Sequence, residues 1–172
     1  MENKNLVLFA LFSLFSIGVF AQAPLGEGNK QINAGLGFTN EGLPAYVGLD
    51  FGIHPDVTIG PVASVRVWRE SYRFDGDRFI ANHLIFFGGF NGNYHFNRLL
   101  EIPSNFDFYA GATIGFYVWS SPDDYIGPNT SGLGINAQIG GRYFIDRNFA
   151  LNMEIGGGSL AGGRFGITYI LR

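Results

Sequence analysis

Few residues of this chain have types and spacings that could support catalysis. Its histidines are His54, His83 and His95, and it has no cysteine. His83 is the best candidate for a general base, because histidine activates a serine for acyl transfer when a carboxylate orients it. The side chains that could join it are Ser71, Ser120, Ser121, Asp123 and Asp124. Their spacing is not diagnostic, since triads are recognised by geometry, so we expect no enzyme and no catalytic residue.

Metal and cofactor chemistry is equally weakly indicated. Asp75, Asp77, Asp123 and Asp124 carry oxygen ligands of the kind that bind Ca²⁺, but a solvated loop accounts for them more simply. The glycines at 156–158 are not followed by the Lys-Ser/Thr pair of a phosphate-binding loop. His54 precedes Pro55 and is interpreted as a turn residue. We therefore predict no metal and no cofactor.

The most informative pattern in the sequence is an alternation that determines on which face of a strand the charged residues lie. From residue 31 onward the chain repeats segments in which apolar residues alternate with small or polar ones. Period two of this kind predicts strands. Eight such segments are predicted, at 31–39, 45–54, 57–68, 80–96, 106–119, 133–145, 149–155 and 164–171.

Charge is confined to one face of these strands. The charged residues within the segments are Asp50, Arg66, Asp107, Arg142, Glu154 and Arg164. All of them fall on the parity opposite to the apolar one, and their formal charges sum to zero. A face without charge on any strand suits lipid, and strands cross a bilayer only as a closed barrel. We predict an all-β fold, an eight-stranded antiparallel up-and-down transmembrane β-barrel, with these six residues as an interior charge network. Chance placement on a half-solvated sheet is the alternative.

Connection lengths and aromatic residues agree with this topology. Polar loops are predicted at 69–78 and 120–132, and short turns near Pro55 and Arg147, whereas 97–105 is long for a periplasmic turn. Aromatic side chains recur at the segment ends beside the short turns, as expected at headgroup level. They are Tyr94, Phe96, Phe106, Phe108, Tyr143, Phe149 and Tyr169.

The N-terminus is typical of an export signal. Lys4 precedes an apolar stretch at 6–20, and Ala21 is a small residue at the expected cut. The stretch is shorter than the ~20 residues of a spanning helix. We predict a signal peptide at 1–21, an N-terminal periplasmic segment at 22–30 and the barrel at 31–172, with the cell outer membrane as destination.

Composition excludes some partners. Charged residues are 15% of the chain, against ~25% in soluble proteins. The net charge is −3, and Lys30 is the only lysine after Lys4. A basic surface for nucleic acid is therefore not expected.

The chain resembles the small eight-stranded outer-membrane barrels of the OmpA-like and opacity-protein type. The resemblance covers residues 31–172 and is carried best by GGRYFIDRNFALNMEIGGG and by the closing RFGITYILR. Such proteins usually end on an aromatic residue, whereas this chain ends on Arg172. Pro61 is a second departure, and we expect irregular pairing there because proline lacks a ladder donor. The resemblance implies outer-membrane lipids and the outer-membrane insertion machinery as partners.

Three functions remain open from the sequence. The first is a structural or surface-interaction barrel, with an extracellular partner bound through loops 69–78 and 120–132. The second is a soluble lipocalin-like barrel in the periplasm, which would need its apolar parity inside and a charged exterior. The third is an enzyme that modifies lipid at the rim, in which His83 would be essential. A pore is not expected, because side chains fill the interior of an eight-stranded barrel.

Overall fold

The computed structural model describes residues 24–39, 41–74, 77–123, 125, 131–158 and 162–171. Within them the chain forms a closed barrel in which each strand pairs with its neighbours in sequence and β8 pairs with β1. All pairings are antiparallel. The strands are β1 Lys30–Phe38, β2 Ala45–His54, β3 Val57–Phe74, β4 Asp77–His95, β5 Phe106–Ser120, β6 Gly132–Phe144, β7 Phe149–Gly158 and β8 Gly163–Leu171. The predicted fold class is confirmed.

We name the two ends of the barrel by their connections. At the turn end, residues 55–56, 96–105 and 145–148 join the strands. At the loop end, the strands are joined through 39–44, 75–76, 121–131 and 159–162. The predicted signal peptide and Arg172 lie outside the described residues. No helix in the described part of the chain has the length and apolarity that crossing a membrane requires.

Alternation along each strand separates the side chains into two sets, because successive residues of a strand point to opposite faces. Outward positions are mostly apolar and exposed. They include Val47, Ile59, Phe90, Ile114, Ile139, Met153 and Ile167. Inward positions are mostly polar and buried. They include Gln31, Asn33, Thr58, Asn93, Gln138 and Thr168. The molecule therefore has the reverse of a soluble barrel's distribution.

The loop predicted at 69–78 is wrong. β3 and β4 continue to pair as far as Phe74 and Asp77, so only residues 75–76 lie between them. The sequence there is polar, and the loss of apolar alternation is what predicts the end of a strand from sequence alone. Antiparallel pairing depends on backbone hydrogen bonds, so a hairpin can extend beyond the apolar band without apolar side chains. This hairpin projects past the other strands at the loop end.

Pairing is irregular near Pro61 and at the turn that follows β2. The pairs of β2 with β3 run to Gly48–Val62 and resume at Phe51–Ile59, and among the described residues no pair is formed between them. Pro61 lies in this gap and points outward, which suits a residue that has no N–H to donate. A register shift between Gly52 and His54 marks the end of β2.

The residues before β1 close the turn end. Leu25 is buried against Phe144, Ala150 and Ile170 and forms a small apolar cluster with them. The segment is held to β2 by reciprocal backbone hydrogen bonds, from Gly28 N to Gly52 O and from Gly52 N to Asn29 O. Part of the predicted periplasmic segment is thus a cap on the barrel.

Candidate functional site: the barrel interior

Arg142 is the centre of the polar interior. It projects inward from β6, and its Nη1 donates to Asp107 Oδ2 on β5 at 2.7 Å, while its Nη2 donates to Asp50 Oδ2 on β2 at 3.1 Å. Its guanidinium also lies 4.3 Å from the centroid of the Tyr109 ring. The three charged side chains are at most 2% exposed. Strand β2 is thereby joined across the lumen to the neighbouring strands β5 and β6.

Further side chains complete the coordination of both carboxylates. Asp50 accepts hydrogen bonds from the amides of Gln31, Asn33 and Asn91. Asp107 Oδ1 lies 2.7 Å from His95 Nδ1, and the Nε2 of the same imidazole lies 3.0 Å from Thr58 Oγ1. Buried charges are tolerable when they are paired and their remaining lone pairs are satisfied. This interior meets that condition for both acids.

A second ion pair lies nearer the loop end. Arg164 on β8 donates to Glu154 on β7. Glu154 also accepts from the hydroxyl of Tyr109 at 2.7 Å, so this pair is connected to the Arg142 group through one aromatic side chain. Five of the six charged residues singled out from the sequence are joined in this way.

Arg66 is the sixth, and it is bound differently. Its side chain is 10% exposed and points inward from β3. Its Nη2 donates to Glu41 Oε2 at 2.5 Å, and Glu41 lies in the 39–44 connection rather than on a strand. Nε of Arg66 has no hydrogen-bond partner among the described residues.

The network predicted from the sequence contained only charged residues. Alternation also places Gln31, Asn91 and His95 on the inward parity, but it does not predict their contacts with the two carboxylates. Glu41 carries no such signal, because it lies in a connection where period two does not apply.

A separate cluster surrounds His83 at the loop end. Its Nδ1 lies 2.8 Å from Ser121 Oγ, and its Nε2 lies 3.3 Å from Glu70 Oε2. The second contact is within ion-pair distance, but its direction does not make a hydrogen bond, so Nε2 has no hydrogen-bond partner in the described part of the chain. The rings of Trp68, Trp119 and Tyr125 pack around the imidazole, with centroids 4.6 to 5.6 Å away.

The other candidates for a rim site lie elsewhere. Ser71 accepts a hydrogen bond from Arg78 at 2.6 Å on the exposed hairpin, Ser120 is exposed, and Asp123 is exposed in the loop. Among the described residues, the carboxylate within ion-pair distance of His83 is Glu70, which the sequence did not single out. Asp75 and Asp124 lie outside the described residues. Within the described ranges no group of three or more His, Cys, Asp or Glu side chains could hold a metal ion.

An apolar exterior, a polar and charged interior, and eight antiparallel strands closed in sequence order define a barrel of the outer-membrane type. The model is similar to the outer membrane protein OprG from Pseudomonas aeruginosa, with a TM-score of 0.67, 8% identity and coverage of 90% of this chain and 99% of that one. It is also similar to the N-terminal β-barrel domain of Pseudomonas aeruginosa OprF, with a TM-score of 0.59, 13% identity and coverage of 85% and 99%.

A de novo designed transmembrane β-barrel matches as well, with a TM-score of 0.51, 19% identity and coverage of 84% of this chain and 97% of that one. No protein-family model and no curated protein matches the sequence. At these identities the likeness shows the fold.

Proposed function

We propose that this protein is an integral outer-membrane barrel whose role is structural or a surface interaction. The observation that carries the proposal is the apolar band on the outside of every strand. Large apolar side chains on this band are roughly half exposed, for example Ile114 at 52% and Ile139 at 63%. In water such a surface would cause association, whereas in a bilayer it is satisfied by lipid.

The polar interior supports a closed barrel rather than a channel or a lipocalin-like carrier. The group around Arg142 crosses the lumen, and Leu25 with its apolar neighbours covers the turn end. A lipocalin-like barrel would direct its apolar parity inward to hold a ligand, but here the inward parity carries amides and ion pairs. The turn end faces the periplasm in this proposal, and outer-membrane lipids contact the band.

Specific recognition would then lie at the loop end. The β3–β4 hairpin continues to pair beyond Leu84, where the pairing of β4 with β5 ends, and the connection between β5 and β6 is the longest at this end. An extracellular partner would contact these two regions, which correspond to the sequence ranges 69–78 and 120–132. The outer-membrane insertion machinery would be the partner during assembly.

Gel mobility after cell fractionation tests the proposal. Small membrane barrels stay folded in detergent until they are heated, so mature protein from the outer-membrane fraction should migrate differently before and after boiling. Recovery in the soluble periplasmic fraction with no mobility shift would contradict the proposal. Conductance above background in planar bilayers would contradict the closed interior.

A second candidate function is hydrolysis of a lipid ester at the loop end, and the 2.8 Å contact of Ser121 with His83 favours it. A neutral imidazole that accepts the serine proton at Nδ1 could activate Oγ. Labelling with a fluorophosphonate that disappears in Ser121→Ala but persists in Ser120→Ala would support it. Absence of labelling in the folded wild-type barrel would exclude Ser121 as a nucleophile.

A further inference from the structure

A small cavity lies inside the barrel, on the loop-end side of the Arg142 group. Its volume is about 50 Å³. A site needs roughly 10–15 Å³ to hold one water, so this space accommodates a few waters or a short organic chain. Part of its wall is apolar, with Val62, Ile85 and Phe87, and Arg66 and Asn136 contribute polar atoms.

The polar wall of the cavity is not satisfied by the protein itself. Arg66 Nε and Asn136 Oδ1 are buried, and neither has a hydrogen-bond partner among the described residues. Buried polar groups are normally paired, and an unpaired donor and acceptor facing one cavity indicate that another molecule completes them. Glu154 and Arg164 also line the cavity, but they are paired with each other. Arg66 is therefore the charged lining residue with an unpaired donor, and it favours an anionic ligand.

Arg66 differs from the other interior arginines in the location of the carboxylate that pairs with it. Arg142 and Arg164 are paired with carboxylates on strands of the barrel. The only carboxylate within ion-pair distance of Arg66 in the described ranges is Glu41, which lies on a connection and is 40% exposed. A carboxylate on a loop can leave the guanidinium without disturbing the barrel wall.

We propose that Arg66 and this cavity form a binding site for short-chain carboxylates that enter from the loop end, and that Glu41 competes for the site. The side chain of Glu41 beyond Cα is equivalent to a propionate. Its contact with Arg66 therefore shows how the carboxylate of such a ligand would bind the guanidinium. The guanidinium fork matches a carboxylate, and the apolar wall receives the alkyl chain. When Glu41 moves out, the carboxylate of the ligand takes its place on Arg66.

The proposal is tested by measuring the affinity of the Glu41→Ala variant for propionate. Propionamide, which has the same size but no charge, is the control ligand. A tethered group competes at an effective concentration in the millimolar range, so removing it should lower the Kd for propionate by about twofold or more when the intrinsic affinity of a carboxylate for the site is also millimolar. Saturation-transfer NMR on barrels folded in non-ionic micelles measures this. Glu27→Ala, which removes an exposed carboxylate before β1, should bind propionate as the wild type does.

Three results would overturn the site. They are an unchanged Kd in Glu41→Ala, equal binding of propionamide, and propionate binding that survives in the Glu41→Ala, Arg66→Gln double variant. The wild-type barrel supplies a measurement that does not depend on a variant folding. Saturating propionate should shift the amide resonances of Glu41 and Arg66, and unchanged resonances would also refute the proposal. Barrel assembly is read separately from gel mobility, so failure of this site would leave the proposed function intact.

Discussion

At the scale of single residues, Arg142 has the most consequential contacts in the barrel. It neutralises Asp50 and Asp107, both of which are buried. Removing one partner of a buried ion pair leaves an uncompensated charge and costs about 3–5 kcal/mol. Arg142→Gln should therefore lower the free energy of unfolding by about that amount, measured by urea unfolding of the barrel in lipid vesicles.

Two further variants make this test specific. Arg147→Gln removes an exposed guanidinium from the connection between β6 and β7 and should change the unfolding free energy by less than about 0.5 kcal/mol. Asp107→Asn in the Arg142→Gln background removes one of the uncompensated charges and should recover part of the loss. If the changes in unfolding free energy caused by the two substitutions were additive in the double variant, direct coupling between Arg142 and Asp107 would be contradicted.

Asp146 provides a pH-dependent prediction outside the strands. The backbone N–H groups of Asn148 and Phe149 each donate to its Oδ1 at 2.7 Å, and these bonds lower the pKa of the carboxyl in the folded state. The stabilisation is therefore complete above the ordinary aspartate pKa of about 3.9 and is lost as the pH falls through the lowered value. The unfolding free energies of wild type and Asp146→Ala should differ at pH 7 and converge in acid. A difference that does not depend on pH would contradict this origin.

At the scale of elements, barrel closure depends on the close approach of β8 to β1. Gly35 and Gly166 are paired across this seam. A Cβ on Gly166 would lie 2.1 Å from the backbone oxygen of Ala34, closer than any tolerable contact. The seam therefore requires glycine at this position because of backbone proximity, and not because of a positive φ.

Gly166→Ala should consequently prevent or strongly reduce formation of the closed barrel. A Cβ on Gly88 would have no heavy atom within 4 Å, so Gly88→Ala is the matched control and should fold normally. The fraction of protein with the heat-sensitive mobility measures closure. Equal folding of the two variants would show that β8 and β1 can separate enough to admit a methyl group.

At the scale of the whole molecule, the apolar band predicts how a charge should act at different depths. Ile139 is 63% exposed on β6, several residues from the turn end, whereas Leu99 is 66% exposed on the turn-end connection. Arginine on the lipid face costs about 2–4 kcal/mol at the bilayer midplane and about 0–1 kcal/mol near the interface. Ile139→Arg should thus reduce the unfolding free energy in vesicles far more than Leu99→Arg. Similar effects of the two substitutions on the unfolding free energy would contradict the placement of Ile139 within the membrane and of Leu99 at its edge.

Much of this architecture could be predicted from the sequence, because side-chain direction in a strand is a local property. Period two assigned the inward and outward faces correctly, and β2 has the predicted bounds of 45–54. The same periodicity placed Asp50, Arg66, Asp107, Arg142, Glu154 and Arg164 on inward positions. Strand ends were less predictable where backbone pairing continues beyond the last apolar residues, as in the β3–β4 hairpin.

Only the tertiary structure decided which of those residues meet. Asp50 and Arg142 are 92 residues apart in the chain, and their contact depends on the stagger of strands around the closed barrel. The same geometry brings Glu41 to Arg66, Ser121 to His83, and Leu25 beneath Phe144. Alternation specifies whether each side chain points inward or outward. These contacts depend in addition on how far along the barrel axis each side chain lies, and that position is set by strand register and barrel closure together.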